Sequence, residues 1–276
     1  MAIVPTIAAL TLGSAANSQA WREAFLAEAA SQTTPALDED GSSATVDSLS
    51  DLALLGDANA QTRLGLMYSD GEWDQRDYSR ASFWFRLAAE KDHAVALDEL
   101  GPIYFLGLGG LIEDYDESAR LYQRAADQGY ANAQRNLGRA YAWGRGVPED
   151  DAAAAHWYRL AAEQGHIAAQ MDLSMSYYHG LGVEQNYQAA AQWTRLAAEQ
   201  GNDGAQNWLA SFYARGEGVL QNFASAHMWY NIAAANGNIG ASFSRDQLAE
   251  RMTIEAIGEA EARARVCMAS EYQDCD

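Results

Sequence analysis

The chain alternates two kinds of helical pattern. Over 133–143, Ala133, Leu137 and Tyr141 fall at i, i+4 and i+8, one face of a helix. The same face returns as Leu64/Tyr68, Leu100/Tyr104, Leu173/Tyr177 and Leu209/Tyr213. A second pattern runs from Asp150 to Gly165, about 14 residues or ~21 Å of helix. Its Trp157 and Tyr158 point to a buried face, and Ala161/Ala162 leave room for a neighbouring helix to approach. Between the two patterns lies "GRGV", whose glycines tolerate the positive φ needed just past a helix end.

The pair recurs with a period near 36. Asp77, Asp114, Asp150, Asn186 and Asn222 occupy one column, each a residue type that accepts from the orphan N–H groups of a first turn. Seven residues on stand Trp84, Leu121, Trp157, Trp193 and Trp229. Alanine pairs follow at 88/89, 125/126, 161/162, 197/198 and 233/234. Glycine closes each unit at 129, 165, 201 and 237, with Asp92 in its place in the first copy. The units expected are 60–95, 96–132, 133–168, 169–204 and 205–240, starting at Ala60, Ala96, Ala133, Ala169 and Ala205; Ala241 opens the segment after them.

A Gly-x-Gly turn opening onto a helix also suggests a phosphate loop. Here it recurs as "GLGG" at 107–110, "GLGV" at 180–183 and "GEGV" at 216–219, always from helix to helix. A dinucleotide fingerprint follows a strand, and a P-loop carries Lys-Ser/Thr, so the turn is structural. Two copies depart from the pattern. The second has Pro102 and one extra loop residue, which predicts a kinked or late-starting first turn. The first has "DGEWDQRD" with Trp73, which predicts a different turn.

Composition narrows the partners. The 276 residues carry a net charge of −20, from 38 acids against 18 bases, and Lys91 is the sole lysine. Nucleic acid and anionic membrane surfaces need clustered cations, so both are disfavoured. No apolar run is long enough to cross a bilayer. The apolar stretch "AIVPTIAALTL" and the following "GSAANSQA", with Ser18 and Ala20 at −3 and −1, predict a signal peptide over 1–20, without a basic n-region, cut before Trp21. The protein is thus expected to be periplasmic or secreted, with 21–59 holding an N-terminal helix, a linker and a degenerate half-repeat. Cys267 and Cys275 would then pair as a disulfide closing a nine-residue loop; their spacing fits no zinc site.

The columns Ala-x₃-Leu-Gly-x₂-Tyr-x₂-Gly-x-Gly-Val-x₃-Asp/Asn-x₃-Ala-x₂-Trp-x₃-Ala-Ala-x₂-Gly-x₃-Ala, over 60–241, are similar to the Sel-1-like repeat family. That resemblance implies an all-α fold: an α/α solenoid with a right-handed superhelix, related to tetratricopeptide arrays. It also implies that 242–276 forms a helical cap screening the last repeat. The cysteine-stapled members of the family are a poorer match, because the repeats here lack cysteine pairs.

Family members act as adaptors, so the resemblance implies a protein or peptide partner held in a concave groove. Exported relatives regulate sensor kinases or take part in envelope and motor assembly, and such structural roles are one alternative. A cell-wall or β-lactam-directed hydrolase is the other, but Ser-x-x-Lys cannot be formed around Lys91 and His-Glu-x-x-His is absent. No catalytic residue, metal or cofactor is expected. The groove candidates lie at offsets 3, 6 and 10 from each starting alanine: Asn136, Arg139 and Trp143; Asp172, Met175 and His179; Trp208, Ser211 and Arg215. Aromatic and arginine side chains are the usual anchors of protein interfaces. For Trp143 and Trp208 the competing reading is packing between repeats. A ladder of Arg86, Arg159 and Arg195 recurs with the period and is expected to pair with acids across the repeat interface.

Overall fold

The computed structural model describes residues 43–70 and 76–275. The signal peptide, the helix expected just after it and the Trp73 turn fall outside the described residues, apart from the turn's margins. Thirteen helices and no strand occur among the described residues. The helices are α1 (Ser43–Leu54), α2 (Ala58–Ser69), α3 (Tyr78–Ala89), α4 (Ala94–Leu106), α5 (Tyr115–Ala126), α6 (Ala131–Trp143) and α7 (Asp151–Glu163). They continue with α8 (Ile167–His179), α9 (Tyr187–Glu199), α10 (Asp203–Arg215), α11 (Phe223–Ala235), α12 (Ile239–Ala249) and α13 (Ile254–Ala269). Each helix from α1 to α12 packs on its neighbours in sequence, and α13 folds back onto α11. This is an α/α solenoid in which α2 to α11 form five hairpins.

The five Asp/Asn positions cap their helices: the side chains of Asp77, Asp114, Asp150, Asn186 and Asn222 each accept from a first-turn N–H. The opposite helices begin two residues before the periodic alanine, because their caps lie earlier. Asp57, His93, His166, Asn202 and Asn238 serve there, the histidines accepting through Nδ1 from Ala96 and Ala169. Tyr130 holds the same place without a side-chain cap.

The two turn glycines have different causes. The first, Gly144 in the third copy, adopts φ +59 and terminates its helix. The second, Gly146, presses on the preceding hairpin, where a Cβ would fall 1.9 Å from the Tyr115 carbonyl oxygen. At the end of the first hairpin Asp92, standing where the other copies have glycine, still takes φ +57. Arg124 of the next hairpin holds its carboxylate through Nε at 3.0 Å.

The core repeats with the sequence. Leu64, Leu100, Leu137, Leu173 and Leu209 are all buried, as are the alanine pairs of Ala88/Ala89, Ala125/Ala126, Ala161/Ala162 and Ala197/Ala198. Burying one leucine stabilises by roughly 1.5–3 kcal/mol relative to exposure, so each hairpin relies on its neighbours to cover it. A buried glutamine column joins them. Gln61, Gln134, Gln170 and Gln206 donate to the carbonyls of Ala53, Ala126, Ala162 and Ala198 at the end of the preceding helix. Gln164, Gln200 and Asn236 then donate to Gln134, Gln170 and Gln206.

Two expectations are corrected. The arginine ladder does not seek acids across the interface: Arg86, Arg159 and Arg195 donate to the hydroxyls of Tyr104, Tyr177 and Tyr213 in the next hairpin. Each guanidinium also lies over the same ring, which an acid could not offer. The Arg195 pair with Glu199, at 3.7 Å, stays within its own helix. Nor does Pro102 delay its helix, which starts at Ala94 under the His93 cap. Pro102 lies in the C-terminal half, so its missing N–H affects the Asp98 carbonyl four residues back rather than the first turn.

At the C-terminal end, Cys267 and Cys275 are bonded and both are buried against the last hairpin, in a cluster that includes Trp229, Ala260 and Ala264. No described helix is long and apolar enough to cross a membrane.

Candidate functional site

The first helices of successive hairpins, α4, α6, α8 and α10, touch one another through side chains. Asn136 donates to Asp98 at 3.0 Å, and Arg135 donates to Asp172 at 2.6 Å. Trp208 stacks edge-on against Tyr178 at 5.6 Å and lies 6.1 Å from Phe212. Ser211 meets the Tyr230 hydroxyl at 3.0 Å and donates to the Asn207 carbonyl. Four of the nine candidates, Asn136, Asp172, Trp208 and Ser211, are therefore engaged within the array. Met175 is half-buried, whereas His179 is exposed with its ring edge-on to Tyr178.

Asp98 sits at the junction of the second and third hairpins, buried beside Asn136. Burial pushes its carboxyl up to about 7; the Asn136 hydrogen bond opposes the shift and neighbouring Glu99 adds to it. Glu99 is itself raised, by burial and then by Asp70. Burial also lowers His166, with Arg135 acting in the same sense.

Trp143 is different. It is 51% exposed and carries two guanidinium groups on its ring, Arg139 at 4.4 Å and Arg145 at 5.3 Å. Arg145 also lies 5.1 Å from the Phe105 ring and 5.7 Å from that of Tyr115, which are 4.9 Å apart. Among the described residues no carboxylate forms an ion pair with either arginine. Two hairpins later, Arg215 pairs with Glu217 at 3.2 Å, and the Tyr178 hydroxyl donates to the same carboxylate.

The sequence stripe brought Arg139 and Trp143 together but missed Arg145, Phe105 and Tyr115. Arg145 had a signal: the middle residue of the otherwise regular Gly-x-Gly turn reads Leu108, Arg145, Leu181 and Glu217. A variable side chain in an invariant frame is where adjacent copies can differ without disturbing the fold.

No group of three or more His, Cys, Asp or Glu placed to hold a metal occurs among the described residues. A shallow pocket beside the cap disulfide, lined by Ala262, Arg263, Val266, Asp274 and Cys275, contains none of the groove candidates.

The model of the Sel1 repeat matches residues 58–93, 94–130, 131–166, 167–202 and 204–238. Among solved structures, a protective antigen present in uropathogenic Escherichia coli strains, displaying an SLR fold, is 37% identical with a TM-score of 0.69. The alignment covers 74% of this chain but only 43% of the length of that one. A Sel1 repeat protein from Oxalobacter formigenes is 30% identical over 78% of this chain and 90% of its own, with a TM-score of 0.66. No curated protein matches.

Proposed function

The chain belongs to the Sel1 repeat family, and from that premise we propose that it is an exported scaffold binding a protein or peptide along its row of first helices. Sel1 repeat proteins are protein-interaction scaffolds, so the partner class follows from the family and the surface is this chain's own. The observation that carries the surface is Trp143, a large aromatic left half in solvent with the guanidinium groups of Arg139 and Arg145 against its ring. A tryptophan oriented in advance loses little side-chain freedom on binding, which favours it as an anchor. Export is supported by the residues up to Ala20 and by the bonded Cys267–Cys275 pair, which persists in oxidising compartments. That a 37% identical relative is a protective antigen in E. coli accords with it.

The test is affinity capture from extracts of the native cell with wild type and Trp143→Ala. Loss of the captured partner with an unchanged melting curve supports the assignment; undiminished capture overturns it. Export is checked separately by N-terminal sequencing of the natural protein. A mature start at Trp21 is expected, and a protein retained in the cytoplasm from Met1 refutes it.

A further inference from the structure

The solenoid contains two versions of one junction. Between the fourth and fifth hairpins, Tyr178 and Tyr187 stack at 5.1 Å, and the turn residue Glu217 closes the site. Its carboxylate Oε2 lies 3.2 Å from Arg215 Nη1 and 3.2 Å from the Tyr178 hydroxyl. Between the second and third hairpins the same places are held by Phe105, Tyr115, Arg145 and Trp143. The ring pair is retained, but the carboxylate is replaced by a guanidinium and the cation opposite it by an indole.

We propose that this second junction binds an acidic peptide segment, whose carboxylate takes beside Arg145 and Arg139 the part that Glu217 plays internally two repeats later. The inference rests on the reading of the chain as a peptide-binding scaffold and names the partner's chemistry. Charge complementarity carries it. Neither Arg139 nor Arg145 has an ion-pair partner among the described residues, although acids outnumber bases 38 to 18 in the chain. Both guanidinium groups are instead parked on the exposed Trp143 ring. Glu113 acts on the Tyr115 hydroxyl, where it outweighs the opposing influence of Arg145. An incoming carboxylate would meet forked N–H donors with an apolar wall of Trp143 and Phe105 beside them, so an apolar residue next to the acid fits as well.

The experiment uses the full chain and three sets of immobilised nine-residue peptides, in which Phe or Leu alternates with Glu/Asp, with Gln/Asn or with Lys/Arg. Wild type is expected to be retained by the acidic set. Arg145→Glu, which copies the closed junction, should weaken that retention at least tenfold. Leu181→Glu places the same carboxylate at the equivalent exposed turn position one hairpin away, without removing a cation, and should leave retention within twofold. Circular dichroism confirms that each variant is folded. No retention on the acidic set, no loss with Arg145→Glu, or an equal loss with Leu181→Glu overturns the proposal. Retention by the neutral or basic set alone, abolished by Trp143→Ala, would overturn it while leaving the peptide-scaffold reading intact. Retention by none of the sets counts against both.

Discussion

The Cα of Gly138 faces the ring of Tyr158 across the third hairpin, so closely that a Cβ would fall 2.6 Å from Cε1. The relation repeats as Gly65 with Phe85 and Gly101 with Tyr122, then changes. In the fourth hairpin Ser174 and Thr194 take the two places, their hydroxyls 2.7 Å apart. Over these four hairpins volume is thus exchanged within the pair: a bare helix faces a ring, or two small hydroxyls face each other; the fifth has Ala210 and Tyr230 in the same columns.

Gly138→Ala is therefore expected to destabilise the protein by about 1–3 kcal/mol through overpacking, despite the better helix propensity of alanine. The double change Gly138→Ser and Tyr158→Thr, which copies the fourth hairpin, should recover part of that loss. Urea unfolding followed by far-UV circular dichroism reads both. A single variant as stable as wild type would show that Tyr158 moves aside at no cost.

Asp98 predicts a dependence on pH with a definite sign. Its carboxyl binds a proton more tightly in the fold, at about 7, than in the unfolded chain, at 3.8. Protonation favours the fold, so this group's contribution is greatest below about pH 4, declines as pH rises to about 7 and is flat above. Asp98→Asn keeps an oxygen to accept from Asn136 and removes the titration. It should raise stability at pH 8 by an amount on the order of 1–3 kcal/mol and flatten the profile between pH 4 and 7. Parallel profiles for the two proteins would contradict this.

The cap disulfide closes a short loop beneath the last hairpin. Cys267→Ser with Cys275→Ser should cost roughly 2–3 kcal/mol by loop entropy. In a solenoid each hairpin contacts only its neighbours, so the loss should be local. Hydrogen exchange is expected to quicken in α11 to α13 and stay unchanged in α4 to α6. Uniform acceleration along the chain would show that the cap governs the whole array.

The period was legible because every copy needs the same caps, glycines and small residues at the same contacts. Asp150, Gly144 and the Ala161/Ala162 pair each mark one such contact, and all are visible in a single sequence. What was not legible was how copies meet. The Arg159 ladder looked like a set of ion pairs because a sequence shows charge but not the Tyr177 ring and hydroxyl 18 positions on. The Gln134 column passed unnoticed for a related reason: a buried amide bonding to the Ala126 carbonyl has no pattern except its own recurrence. Offsets on a helix also could not tell Trp143 from Trp208, since which one is covered depends on the neighbouring hairpin.

Those two tryptophans give the clearest separation of binding from packing. Trp208 is half-buried between Tyr178 and Phe212, at 5.6 and 6.1 Å, and spans the fourth and fifth hairpins. Trp208→Ala should cost about 2–3 kcal/mol, less than the ~3–5 of a fully enclosed aromatic. Trp143, at 51% exposure, loses its contacts with Arg139 and Arg145 on truncation while half of its surface already faces solvent. An exposed cation–π contact contributes roughly 0.5–1 kcal/mol, so Trp143→Ala should stay within about 1 kcal/mol of wild type. Partner binding is expected to follow the reverse order, lost with Trp143→Ala and, measured well below the melting temperature, largely kept with Trp208→Ala. If Trp143→Ala destabilises as much as Trp208→Ala, the exposed ring is structural and its role as an anchor falls.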